Sequence, residues 1–109
     1  MEQEKRQSQF IYVLRPIPRL LKEENWTEQE EKIIDKHFAY LQNLLAEGKL
    51  ILAGKTCGLD EKTFGVVIIE ADSIEEAYQM MNNDPGVSDG IMTAELFTYN
   101  VAIMRQSNS

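Results

Sequence analysis

Three features of the sequence predict an α+β fold. Two capping-box signatures open two helices. Four segments rich in aromatic and β-branched residues read as strands. Two of those strands are apolar on both faces. The elements run in the order β-α-β-β-α-β, the ferredoxin-like split motif: an antiparallel sheet with both helices on one face. The chain has 109 residues, the size of one small domain. It reads as a polar, loosely ordered lead-in over 1–8, a single domain over 9–103 and a polar tail over 104–109.

The first strand is QFIYVLR, residues 9–15, ended by Pro16. In the connection over 16–26, Pro16 and Pro18 resist regular structure. Residues 27–48 give the clearest helix. Thr27 and Glu30 match a capping box, and acidic residues fill the first turn. Ile33, Ile34, His37, Phe38, Leu41, Leu44 and Leu45 recur at helical spacing on one face, and Gly48 supplies the stop. KLILAG (49–54) is the second strand, KTCGLDEKT a polar turn region, and FGVVIIE (64–70) the third strand. SIEEAYQMMNN (73–83) is the second helix, opened by Ser73 and Glu76. The last strand is IMTAELFTYNVAI (91–103).

In the split motif the first and third strands are central. Here Phe10, Tyr12 and Leu14 alternate with Ile11 and Val13, and Phe64, Val66 and Ile68 with Val67 and Ile69. Two helices cover one face of the sheet only, so the other would present a large apolar patch to water. The simplest cover is the same face of a second copy, related by a two-fold axis: a homodimer through the sheet face opposite the helices. The alternative is a monomer whose 16–26 connection folds over that face.

Charge and composition narrow the function. With 18 acidic and 11 basic residues the formal net charge is −7, which argues against nucleic acid and anionic membrane as partners. Cys57 is the single cysteine, so no intrachain disulfide forms. With one histidine it cannot complete a four-ligand structural zinc site. No glycine-rich phosphate loop is present, and neither a cofactor nor a metal is expected. The opening MEQEKRQS lacks the apolar core of a signal peptide, and no apolar run approaches transmembrane length, so a cytoplasmic location is expected.

His37 is the only histidine, one turn from Ile33 and Leu41 on the apolar helix face. It suits a general base or acid, and equally a core-edge histidine bonded to backbone. Asp84 ends the second helix in Asp84-Pro85-Gly86, a sequence that suits a type II turn. Because both helices pack on one face, Asp84 can come near the middle of the first helix, where a carboxylate would orient the imidazole. Arg15 and Arg19 could clamp an anionic substrate and Trp26 could stack on a ring, though solvated arginines and a helix staple explain them too. Tyr12 and Tyr40 could supply hydroxyls near a pocket, or sit at core edges. Cys57, with Lys55 nearby, reads as a bystander thiol, and Met80, Met81 and Met92 as core filler.

DKHFAYLQNLLAEGKLILAG, FGVVIIEADSIEEAYQMM and NDPGVSDGI together resemble the YCII-related (YciI-like) domain family over about residues 9–100. The matching positions are His37, Gly48, Ala53-Gly54, Gly65, and Asp84-Pro85 with Gly90. Two positions depart from the family pattern. Gly86 stands where an aromatic often follows Asp-Pro, and Ile34 where a basic residue often precedes the histidine. The resemblance implies a dimeric α+β barrel of ferredoxin-like protomers, with a site built on His37 and Asp84. The expected function is proton transfer on a small organic molecule, of isomerase, lyase or hydrolase type. The alternative is a non-catalytic ligand-binding or scaffold domain.

Overall fold

The computed structural model describes residues 8–105; most of the expected lead-in and part of the tail lie outside that range. Thr27 caps helix α1 (Glu28–Ala46) as its sequence predicts: its hydroxyl accepts from the Gln29 N–H, and its own N–H donates to Glu30 Oε1 at 2.9 Å. The helix ends in a Schellman motif. Gly48 takes φ 77°, which a side chain would resist, while Gly48 N–H donates to Leu45 O and Lys49 N–H to Leu44 O. Helix α2 (Ile74–Asn82) is capped by Ser73, whose hydroxyl accepts from Glu76 N–H. The expected return bond differs: the Glu76 carboxylate accepts from the Asp72 N–H at 2.7 Å, one residue upstream.

Four strands, β1 (Ser8–Pro16), β2 (Leu50–Lys55), β3 (Gly65–Ala71) and β4 (Met92–Tyr99), form an antiparallel sheet in the order β2-β3-β1-β4. The first and third strands are central, as the double apolar alternation requires. Phe10, Tyr12 and Leu14 of β1, with Val67, Ile69 and Ala71 of β3, bury against Leu41 and Leu44 of α1 and Ala77, Met80 and Met81 of α2. On the opposite face Leu52, Ile68, Ile11 and Phe97 are paired in one row across all four strands. Leu52 is 47% exposed and Phe97 46%, so within one protomer this face stays open.

Three local expectations are corrected. The 16–26 segment is not irregular throughout: Pro16 completes β1, and two short 3-10 turns follow, Pro18–Leu21 and Glu23–Asn25. Pro18 takes the first helical position, where a missing N–H costs nothing. Leu20 is fully buried beside Ile33 and Ile91, so the segment packs on the start of α1 and not on the open face. Asp84-Pro85-Gly86 is not a type II turn: Asp84 caps a further short helix, α3 (Pro85–Ser88), with Pro85 again at its first position. The last strand ends at Tyr99 and not at 103. Beyond it Val101 N–H donates to the Gln9 side chain at 2.7 Å.

A candidate His-Asp site beside an apolar cavity

Asp84 lies at the junction of α2 and α3 with no exposed surface. Burying a carboxylate is costly unless hydrogen bonds replace its water. Three donors do so here. Gly86 N–H reaches Oδ1 at 2.9 Å, His37 Nδ1 lies 2.6 Å from the same oxygen, and the Tyr12 hydroxyl donates to Oδ2 at 2.8 Å. The donors come from α3, α1 and β1, so the carboxylate ties together elements far apart in the chain. Burial, then the adjacent Asp84 charge, push the Tyr12 phenol far above its ordinary range, so it stays a donor. Tyr40 donates to Met80 O at 2.7 Å, and burial pushes its phenol up to about 12, with Asp84 adding to the effect.

The Nδ1 proton of His37 is assigned from its carboxylate partner, which can only accept. That leaves Nε2 with a free lone pair. Nε2 makes no hydrogen bond to a described residue, yet among those residues no buried side-chain nitrogen or oxygen lacks a partner. Nε2 therefore keeps some exposed surface, and His37 is among the residues that line the cavity. Gly86 packs closely beside the imidazole. A Cβ there would lie 3.1 Å from Met92 Sδ and 3.3 Å from His37 Nδ1, tight contacts that would need the thioether or the imidazole to shift by a few tenths of an ångström.

The cavity measures about 320 Å³ and lies among α1, β2, β3 and the loop joining those strands. Leu14, Phe38, Leu41, Phe64, Val67 and Met92 are among its apolar walls. Small residues make the room: Ala53 pairs with Val67, and Gly65 stands between Leu14 and Lys55. Trp26, Gln42, Lys55 and Thr63 bring the other polar groups.

The sequence candidates separate in space. His37 and Asp84 meet. Tyr12 turns its hydroxyl to Asp84 and does not line the cavity. Trp26 lines it, with its indole N–H used on Leu20 O at 2.8 Å. Arg19 pairs with Glu30 at 3.1 Å, and Arg15 lies 5.7 Å over the Phe64 ring; neither lines the cavity. Cys57 is exposed. Gln42, Lys55 and Thr63 were not anticipated as site residues. Placing Lys55 needs the register of β2 on β3, which no local pattern carries. Among the described residues no group of three or more His, Cys, Asp or Glu converges to hold a metal ion, and no helix is long and apolar enough to cross a membrane.

The model of the YCII-related domain matches residues 10–98. The chain belongs to that family. Comparison with curated proteins finds no match. Among solved structures, this YCII-related chain is similar to the 5-chloro-2-hydroxyhydroquinone dehydrochlorinase of Burkholderia phenoliruptrix, in complex with 2,5-dihydroxybenzoquinone. The identity is 24% and the TM-score 0.63, over 84% of this chain and 93% of that one. At that identity the likeness shows the shared fold.

Proposed function

We propose that the protein catalyses proton transfer on a small organic molecule, as an isomerase, lyase or hydrolase. The observation that carries this reading is the pairing of a partly exposed His37 Nε2 with a fully buried Asp84 on the other ring nitrogen. Asp84 holds the ring in one tautomer and stabilises the imidazolium formed when Nε2 takes a proton. The walls beside His37 are largely apolar, which suits the hydrophobic body of a small organic substrate. A cavity of about 320 Å³ is roughly twice the engineered cavity of about 150 Å³ that holds benzene. A substituted ring or a short branched chain fits that scale. The dehydrochlorinase relative supports an elimination, in which His37 removes a proton as the leaving group departs.

A second copy covers the open sheet face in this reading, because the row Leu52, Ile68, Ile11 and Phe97 needs an apolar partner. Sedimentation at micromolar concentration should show a dimer; a stable monomer would remove that part. The lone exposed thiol suits a reducing compartment, the cytoplasm.

The first substrate to try is the relative's, 5-chloro-2-hydroxyhydroquinone, with chloride release as the readout. Whichever compound turns over, His37→Ala should slow it by about 10²–10⁴-fold. Turnover undiminished in that variant would overturn the reading. Diethyl pyrocarbonate should also acylate Nε2 of the folded protein, and an inert imidazole would mean that it is sealed. The predominantly apolar lining favours a second reading, non-catalytic binding of a small ligand. A compound recovered unchanged, and bound equally by His37→Ala, would select it.

A further inference from the structure

The charge lining the cavity is opposite in sign to the protein as a whole. The chain carries 18 acidic and 11 basic residues, yet among the described residues no carboxylate lines the cavity and one cation does, Lys55. Lys55 ends β2, paired with Gly65 of β3, which in turn pairs with Leu14 of β1. A Cβ built on Gly65 would lie 3.5 Å from the Lys55 Cβ and 3.9 Å from the Leu14 Cβ, so the three positions share one side of the sheet. Leu14 packs in the core under the helices, so Lys55 leaves the sheet on the helix-covered side, toward the cavity.

The missing side chain at Gly65 keeps the way open between the lysine stem and the apolar walls. A Cβ there would also meet Gly54 O at 3.2 Å, a tight contact with backbone. The Lys55 ammonium donates to Thr56 O at 2.8 Å. Among the described residues no carboxylate lies within ion-pair distance of it, unlike Lys36 on Asp89 or Lys49 on Glu47 and Glu76. An ammonium has three donors, so two remain for a ligand. Lys55 is itself exposed, so its charge is free to meet a ligand oxygen but acts through solvent, and its contribution is modest.

We infer that the cavity selects a small organic anion, a carboxylate or phenolate with an apolar body, and that Lys55 is the residue that selects it. The body fills the space between Phe38, Leu41 and Val67, and the anionic oxygen meets the Lys55 ammonium. An ammonium is a compact point charge and suits one anionic oxygen, where a guanidinium would favour a planar pair. This inference names the substrate class of the proton-transfer reading and rests on it.

The test uses benzoate and benzamide, which share size and shape and differ in charge. Amide NMR titration compares the parent with Lys55→Met and Lys55→Arg. In the parent, benzoate should bind about tenfold tighter than benzamide, with shifts at Ala53, Gly65 and His37. Lys55→Met should bind the two probes alike, and Lys55→Arg should keep the preference for benzoate. Equal binding by the parent, a preference that survives in Lys55→Met, shifts outside the cavity, or no binding of either probe would each overturn the inference. The proton-transfer reading fails separately, through undiminished turnover in His37→Ala or an inert Nε2.

Discussion

Two buried carboxylates take part in capping two helices in this protein, and their partners differ in reach. Glu30, 7% exposed at the start of α1, is held by neighbours: Thr27 three residues away and Arg19 eleven residues away. Asp84, fully buried at the start of α3, binds Gly86 two residues away, but also His37 at a separation of 47 and Tyr12 at 72. Glu30 closes its own helix, and the bond from the Thr27 hydroxyl is the largest influence holding its carboxyl down near a pKa of about 2. Asp84 caps a helix too short to need it and spends its remaining capacity on a cavity-lining imidazole. A carboxylate satisfied locally serves stability, whereas one satisfied across the fold can serve a site.

The sharpest way to break this comparison is to remove Asp84. Asp84→Ala leaves the Tyr12 hydroxyl, His37 Nδ1 and Gly86 N–H without their acceptor. Urea denaturation should show a loss of about 3–5 kcal/mol. A loss no greater than that of Glu30→Ala would mean that the two caps are equivalent after all.

Tyr12→Phe should cost less, about 1–3 kcal/mol, since it strips one donor from a carboxylate that keeps two. It also carries a pH signature. The folded phenol is raised above its unfolded value, so its contribution is complete below about pH 10 and declines as pH rises beyond it. The parent should therefore lose stability on going alkaline, and Tyr12→Phe should lose less. Parallel curves for the two would show that the phenol ionises freely in the fold.

The smallest effect belongs to Glu30→Gln. The folded carboxyl is depressed from 4.5 to about 2, so its contribution is present above about pH 4.5 and disappears as pH falls toward about 2. Melting curves of parent and variant should differ modestly at neutral pH and converge across that window. A gap that stayed constant through the window would assign Glu30 a packing role with no dependence on charge.

Much of the fold was legible because its signals are local. Thr27 with Glu30, the glycine at 48, and the apolar alternation of β1 and β3 each act within a few residues and reappear in place. The errors fell where local preference allowed two outcomes. Asp-Pro-Gly suits a type II turn and also a cap with proline at the first helical position; Val87 and Ile91, packed inward, accompany the second outcome. Pro18 likewise starts a 3-10 turn once Leu20 has a core to enter.

By itself the sequence determined the two long helices, the four strands, their order, the two central strands and the short list containing His37 and Asp84. Hydrogen bonds between near neighbours and the periodicity of apolar side chains are enough for that. Tertiary structure alone decided that His37 Nδ1 meets Asp84 at 2.6 Å, that Tyr12 serves that carboxylate and not the cavity, and that Lys55 and Gly65 stand on the cavity side. These facts depend on strand register and on where α1 and α3 cross the sheet. A shift of one residue in β2 would turn Lys55 to the other face, and nothing within β2 itself specifies that register.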